Sequence, residues 1–144
     1  MGTRSIVAAE IGDKTEGRYV HWDGYPEGVG RAVARIVLRD GYERAVKTLM
    51  LDHYGWSAVN AESEPELSLG YTDGRFAAVP GYGVAYTTVA DQSSEDEWHE
   101  VVPEGKVTGD AEYGYVLRPD GMEIYQVRGT WWVLDRKASY EEMA

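Results

Sequence analysis

Residues 21–30 read HWDGYPEGVG, and this short segment is the most informative part of the 144-residue chain. It places polar, aromatic and turn-forming residues next to one another. Asp23-Gly24 is a turn pair, and Pro26 suits the first turn of a helix, where the amide proton that proline lacks would have no partner. The segment therefore predicts a junction between the end of a strand and the start of a helix.

Two alternating runs precede this junction. In Ser5–Ile11 and again in Arg18–Trp22, apolar side chains recur at every second position, as expected for half-buried strands. The residues between them, Gly12–Gly17, have the glycine and polar content of a hairpin connection. The two runs therefore predict a pair of antiparallel strands.

Helical spacing follows the junction. Apolar residues recur at Val29, Val33, Ile36 and Val37, and a stripe of arginines lies four residues apart at Arg31, Arg35 and Arg39. Asp40 and Glu43 have the spacing of a capping box, which predicts a second helix from Gly41 to about Gly55. The second helix would bury Tyr42, Ala45, Val46, Leu49, Met50 and His53.

The rest of the chain predicts strands joined by loops. Residues 57–81 suit a long irregular connection, Val84–Val89 a strand, and Asp91–Asp110 an acidic loop. Three strands then form a meander at Tyr113–Arg118, Met122–Val127 and Thr130–Asp135. We expect a single α+β domain over residues 1–144, with an antiparallel sheet of about five to six strands and a two-helix layer on one face.

The formal charge of −11 is carried by the second part of the chain. Residues 1–59 hold eight acids and eight bases, whereas Asp91–Asp110 holds seven acids and only Lys106. This balance disfavours direct nucleic-acid binding, which depends on clustered basic side chains, and leaves room for a basic protein partner. The acidic loop is equally well explained as a solvated segment.

Composition also predicts where the protein works. The chain has no cysteine, which fits a reducing cytoplasm, and it shows neither a signal peptide nor an apolar run that could cross a membrane. The chain has eleven Tyr and five Trp but one Phe, so most of its aromatic side chains can form a hydrogen bond. Such residues suit either a recognition surface or the solvent-facing side of a sheet covered by Tyr. Trp131 and Trp132 would lie on opposite sides of one strand, so at most one belongs to the core.

One interpretation of the junction is an anion site. A helix start offers free amides, Gly28 and Gly30 permit close approach of a ligand, and Arg4 or Arg31 would add positive charge. The spacing matches no phosphate-binding loop or dinucleotide motif. The alternative is that glycine and proline only shape a tight turn.

A second interpretation is acid–base chemistry. Asp23 and Glu27 can form a carboxylate pair, with His21 as a general base. Asp23 is equally a turn residue, and Glu27 equally a favourable charge in the first helical turn. The three histidines, His21, His53 and His99, lack the spacing of a metal site, and we predict neither a metal nor a cofactor.

The opening MGTRS, the segment HWDGYPEGVG and the later His53-Tyr54 resemble a family of small uncharacterised proteins of phages and mobile elements. The likeness covers residues 1–55 well and is fainter at Tyr82–Tyr86 and in the meander. Many relatives have Cys before the His, where this chain has Val20. The resemblance implies an accessory role in the cytoplasm of a bacterial host, and it covers Arg4 and residues 21–28.

These observations predict a non-enzymatic binder of a host protein or of a small anionic ligand, in host takeover or anti-defence. Its ligand-binding residues would be Arg4, His21, Trp22, Asp23, Tyr25, Glu27, Gly28 and Arg31. The alternative is an enzyme that acts on a nucleotide or glycosidic bond through His21, Asp23 and Glu27. A third interpretation makes the motif a fold-specifying turn with Trp22 and Tyr25 in the core. Exposed sheet edges are also compatible with a homodimer.

Overall fold

The N-terminal hairpin lies in the middle of one eight-stranded sheet. The computed structural model describes residues 3–63, 74–87, 107 and 110–144. The strands are β1 (Ser5–Ile11), β2 (Lys14–Val20), β3 (Trp56–Val59), β4 (Phe76–Val79), β5 (Gly83–Tyr86), β6 (Tyr113–Arg118), β7 (Gly121–Arg128) and β8 (Trp131–Ala138). They lie in the order β4-β5-β3-β2-β1-β6-β7-β8. The hairpin of β1 and β2 therefore separates two groups of three strands.

The sheet is mixed, so the prediction of an antiparallel sheet of about five to six strands is wrong. Strands β1 and β6 run parallel, with Ser5 opposite Tyr113, and β2 and β3 run parallel, with Val20 opposite Trp56. The other neighbouring pairs are antiparallel. The two parallel pairs join strands that are distant in sequence, and side-chain alternation indicates which face a residue occupies but not which strand lies beside it.

The strand count was wrong because two short strands lie in the segment predicted to be irregular. Strands β3 and β4 have only four residues each, which is too short for alternation to separate them from a loop. The predicted strand Val84–Val89 corresponds to β5, and residues 88 and 89 lie outside the described residues. The hairpin turn also shrinks to Gly12-Asp13, because β2 begins at Lys14.

The helical layer begins directly after the junction. A π-helical turn (Pro26–Gly30) leads into α1 (Arg31–Asp40), and α2 (Tyr42–Val46) leads into a second π-helical turn (Lys47–Leu51). A third short helix, α3 (Tyr140–Met143), follows β8. The predicted capping box is wrong, because Gly41, at φ +90°, takes the N-cap position of α2 without a side-chain hydrogen bond.

The core has a large and a small part on opposite faces of the sheet. The large part joins all three helices to one face and includes Val33, Ile36, Leu49, Trp56 and Tyr115. The small part, on the other face, contains no residue of α1, α2 or α3 and consists of Ile6, Ala8, Tyr19, Ala111, Val116, Tyr125 and Trp132. The helices thus cover one face of the sheet.

Some predictions fall outside what the structure describes. Most of the predicted acidic loop, residues 91–110, is not described, and neither is His99. Within the described ranges, no helix is long and apolar enough to cross a membrane.

Candidate functional site

The junction begins where the chain leaves β2 and runs beside β3. The amides of His21 and Trp22 donate to the carbonyl oxygens of Trp56 and Ser57, each at 3.0 Å. Asp23 then adopts a left-handed backbone conformation with φ +57°, which reverses the chain. The Gly24 amide next donates to the Thr3 carbonyl at 2.7 Å. The turn is therefore attached both to β3 and to the segment that enters β1.

Two glycines are required because the backbone packs against itself here. A Cβ on Gly24 would lie 2.7 Å from both the Ser5 Cβ and the Thr3 carbonyl oxygen, and a Cβ on Gly28 would lie 2.2 Å from the Asp23 carbonyl oxygen. Real carbon contacts do not come this close. The close approach made by these glycines is to the protein's own backbone.

At the start of the helix, backbone amides that could bind an anion already donate hydrogen bonds within the protein. The Gly28 amide donates to the Tyr25 carbonyl at 2.9 Å, and the Val29 amide donates to the Asp23 carbonyl at 2.8 Å. Tyr115 supports the turn from below, since its buried hydroxyl donates to the Gly24 carbonyl. Burial raises the pKa of Tyr115, so this hydroxyl keeps its proton and remains a donor.

The side chains of the junction point away from this fixed backbone. Trp22 is 38% exposed and Tyr25 is 39% exposed, and Asp23 and Glu27 are exposed as well. The Tyr25 hydroxyl reaches the Asp23 Oδ1 at 3.4 Å. The interpretation that Trp22 and Tyr25 are core residues is therefore wrong, although the glycines do specify the turn. We call Trp22, Asp23, Tyr25 and Glu27 the junction surface.

His21 and Arg4 lie on the sheet face opposite the helices. The His21 Nδ1 shares a hydrogen bond of 2.7 Å with the hydroxyl of Tyr19, which belongs to the small part of the core. The His21 ring also meets Trp22 edge-on, with the ring centroids 4.7 Å apart. Arg4 forms an ion pair with Asp110 at 2.9 Å and also lowers the pKa of Tyr19, against the larger upward effect of burial.

The contacts of the proposed acid–base residues are with other side chains: the His21 Nδ1 shares a hydrogen bond with the Tyr19 hydroxyl, and the Asp23 Oδ1 accepts from the Tyr25 hydroxyl. Glu27 lies in the helical layer, near enough to Tyr115 to affect its pKa, while His21 contacts Tyr19 on the other face. Arg31 is exposed on α1. The junction thus exposes Trp22, Asp23, Tyr25 and Glu27, while His21 packs between Tyr19 and the Trp22 ring.

Two cavities of the described chain lie elsewhere. One, of about 320 Å³, is lined by residues of the β6–β7 turn and the end of β8, including Arg118, Glu123 and Lys137. The other, of about 360 Å³, lies where α1 ends and is lined by Arg39, Asp40, Arg44, Ala61, Ser63, Pro80, Gly81 and Tyr82. Neither is lined by a junction residue. In the ranges that the structure describes, no three His, Asp or Glu side chains are grouped so that they could hold a metal ion.

Sequence reasoning missed the residues that support the junction. Tyr19, Tyr115 and Ser5 all contact it or its side chains, and all three are buried. The Tyr19–His21 contact joins residues two apart on one strand, but the contact of Tyr115 with Gly24 depends on the pairing of β1 with β6. No local pattern encodes that parallel pairing.

Comparison of the chain with protein-family models, with curated proteins and with solved structures finds no match. The resemblance to a phage family therefore stays a prediction.

Proposed function

We propose that this chain is a non-enzymatic binding protein that contacts a protein partner through the junction surface. The proposal depends on one observation. Hydrogen bonds hold the junction backbone at several points, while two aromatic side chains and two carboxylates are exposed to solvent. Asp23 and Gly24 are fixed by backbone hydrogen bonds to Val29 and Thr3, and Gly24 also by Tyr115. Such a surface loses little conformational entropy when it binds.

The exposed residue types favour a protein partner. Trp and Tyr supply large and rigid contact area, and they are enriched among the residues that dominate binding energy at protein interfaces. Trp22 and Tyr25 are each about two fifths exposed, which leaves ring area for a partner to bury. Asp23 and Glu27 beside them favour a partner with basic side chains.

An anionic ligand is less well supported at this surface. The two exposed carboxylates would repel it, and the amides of Gly28 and Val29 already donate to carbonyl groups of the junction. The hydrogen bond between the His21 Nδ1 and the Tyr19 hydroxyl also engages the ring nitrogen that a general base would use, which weakens support for the enzyme alternative. The resemblance to phage proteins adds that the partner would belong to a bacterial host, as in host takeover or anti-defence.

A comparative pulldown tests the proposal. Tagged protein is incubated with bacterial lysate, and the captured proteins are identified by mass spectrometry. The double variant Trp22→Ala/Tyr25→Ala should lose a partner that the parent chain captures. The control variant Leu51→Ala/Tyr54→Ala, which also removes two exposed apolar side chains, should keep that partner. Circular dichroism confirms that both variants remain folded.

Two results would overturn the proposal. One is that the parent chain captures no protein that depends on Trp22 and Tyr25. The other is calorimetric binding of ATP or a cyclic dinucleotide that disappears in Trp22→Ala/Tyr25→Ala, since the junction would then be a small-ligand site. We expect no heat of binding from these nucleotides.

A further inference from the structure

The helical layer carries positive charge that the rest of the chain lacks. Residues 26–51 contain five basic and three acidic side chains, although the whole chain has a net charge of −11. Three of the five basic side chains, Arg31, Arg35 and Arg39, lie four residues apart on α1, so they follow one side of the helix. The positive charge is therefore concentrated on one element.

Two of these arginines have no side-chain partner in the ranges that the structure describes. Arg31 and Arg35 are exposed, and neither makes a hydrogen bond or ion pair with a residue that the structure describes. Arg35 has arginines four positions away on both sides, an arrangement in which like charges weaken a helix. Arg39 is ion-paired with Asp40, whereas no described residue neutralises Arg31 or Arg35, so their guanidinium groups can meet the charge of a partner.

An exposed leucine accompanies these two arginines. Leu38 lies seven residues after Arg31 and three after Arg35, so all three share one side of α1. Leu38 is 47% exposed, whereas Val33, Ile36 and Val37 on the other side are buried in the core. We call Arg31, Arg35 and Leu38 the α1 outer surface.

A cavity lies at the end of α1, where one of its lining residues, Arg39, follows Arg35 by four residues. It measures about 360 Å³ and is lined by Arg39 and Arg44. Both oxygens of Asp40 are already engaged, Oδ1 by the Arg39 Nε and Oδ2 by the Arg39 Nη2 and the Tyr82 hydroxyl. Arg44 makes no hydrogen bond within the described ranges. A carboxylate that enters this cavity would therefore meet a guanidinium group with free donors.

We infer that the α1 outer surface docks an acidic, amphipathic segment of a partner protein, with one carboxylate directed into the cavity at Arg44. Charge complementarity selects an acidic occupant, and Leu38 selects a protein over a nucleic acid, because a phosphate backbone offers no apolar side chain to cover it. The inference does not rest on the junction surface.

Fluorescence anisotropy with a labelled synthetic peptide tests the inference. The peptide is a helix with glutamates four residues apart and leucines beside them, and its matched control has glutamine at every glutamate. We expect the glutamate peptide to bind, more weakly as salt rises, and the glutamine peptide to bind at least about tenfold more weakly. Equal binding of the two peptides would contradict the inference.

Charge reversal locates the binding. Arg31→Glu/Arg35→Glu should weaken binding of the glutamate peptide by about tenfold or more, and Arg44→Gln should weaken it less. The control Lys14→Glu/Arg128→Glu changes the net charge by the same amount at exposed sites on the sheet and should bind like the parent chain. Trp22→Ala/Tyr25→Ala should also bind normally, which separates this surface from the proposed function.

Other occupants would give distinct results, each of which overturns the inference. A single-stranded oligonucleotide that binds more tightly than the glutamate peptide would identify a nucleic-acid surface. A dimer in sedimentation that dissociates in Arg31→Glu/Arg35→Glu would identify a second copy of this chain as the occupant. Failure of the parent chain to bind the glutamate peptide would show that no acidic segment docks there.

Discussion

Tyrosine hydroxyls account for much of how distant segments are joined in this protein. Tyr115 donates to the Gly24 carbonyl, Tyr42 to the Leu117 carbonyl at 3.1 Å, and Tyr140 to the Arg118 carbonyl. Each carbonyl belongs to a turn or a strand in another part of the chain. The excess of Tyr over Phe therefore serves the interior as well as the surface, because a phenylalanine ring would fill the same space and leave these carbonyl groups without a donor.

Removal of one hydroxyl tests this role. Tyr115→Phe should lower the free energy of unfolding by about 1–3 kcal/mol, since it leaves the buried Gly24 carbonyl unpaired. Urea denaturation followed by circular dichroism measures the change. Tyr25→Phe, which removes only an exposed hydrogen bond of 3.4 Å to Asp23, should have a much smaller effect, and an equal effect of both substitutions would show that the Tyr115 hydroxyl does not support the junction.

Ser5 is the opposite case, because its buried hydroxyl joins no other described group through a hydrogen bond. Its side chain is fully buried, and its hydroxyl oxygen has no hydrogen-bond partner among the described residues. Ser5→Ala should therefore leave the free energy of unfolding unchanged or raise it by about 1 kcal/mol. Ser139→Ala is the matched control: the Ser139 hydroxyl oxygen accepts from the Glu142 amide at the N-cap of α3, and its loss should cost about 1 kcal/mol. A clear loss of stability in Ser5→Ala would reveal a partner for that hydroxyl.

At the scale of elements, a polar cluster fastens the end of α1 to the β4–β5 turn. The Arg39 guanidinium contacts both oxygens of Asp40 and donates to the Gly81 carbonyl at 2.9 Å. The Tyr82 hydroxyl donates to the Asp40 Oδ2 at 2.6 Å, and the Arg39 guanidinium lies 5.4 Å from the centre of the Tyr82 ring. The helix layer is thereby joined to the short strands that continue the sheet beyond β3.

This cluster predicts a pH dependence of stability. Hydrogen bonds from Arg39 and then from Tyr82 lower the pKa of Asp40 to about 2. A folded-state pKa below the unfolded value adds stability that is present above about pH 4 and lost as the pH falls toward about 2. Because the cluster is partly exposed and screened, its contribution should be about 1 kcal/mol. Asp40→Asn should therefore lose less stability than the parent chain between pH 5 and pH 2.5 in urea titrations. Equal losses would show that Asp40 is not stabilised in its charged form.

The accuracy of sequence-based prediction differed between elements for a physical reason. Strand β1 was predicted with its observed bounds, and β6 likewise, because both are six or more residues long and are followed by a turn that contains glycine. The buried side of α1 followed from helical spacing in the same way. Strands β3 and β4 are four residues long, and the predicted cap at Asp40 was overridden by its contacts with Arg39 and Tyr82. Local patterns therefore succeeded where an element is long and failed where tertiary contacts decide.

At the scale of the whole molecule, the same limit applies to the candidate site. Residues 21–30 do form the strand-to-helix junction, and the exposed aromatic rings of Trp22 and Tyr25 lie there. The sequence predicts one site that also contains Arg4 and His21; in the structure His21 contacts Tyr19, whereas Glu27 lies in the π-helical turn that leads into α1. Which face a side chain reaches near the end of a strand depends on how the chain turns, and the left-handed Asp23 was not predictable from composition.

The central hairpin joins two groups of strands that have no direct pairing with each other. Strand β1 pairs in parallel with β6, which is followed in the sheet by β7 and β8. Strand β2 pairs in parallel with β3, which is followed by β5 and β4. Local opening can release either outer group without the other, whereas opening of the hairpin separates both. The stability of the sheet should therefore decrease from its centre toward both edges.

Native-state hydrogen exchange tests this gradient. We expect the paired amides of β1 and β2 to exchange most slowly, near the rate set by global unfolding, and those of the edge strands β4 and β8 to exchange fastest. The amides of β6 and β7 should fall between these limits, since β6 pairs directly with β1. If the amides of β7 and β8 exchange more slowly than those of β1, the meander rather than the hairpin is the most stable unit. The junction would then be attached to a part of the sheet that opens first, and the entropic argument for a rigid binding surface would fail with it.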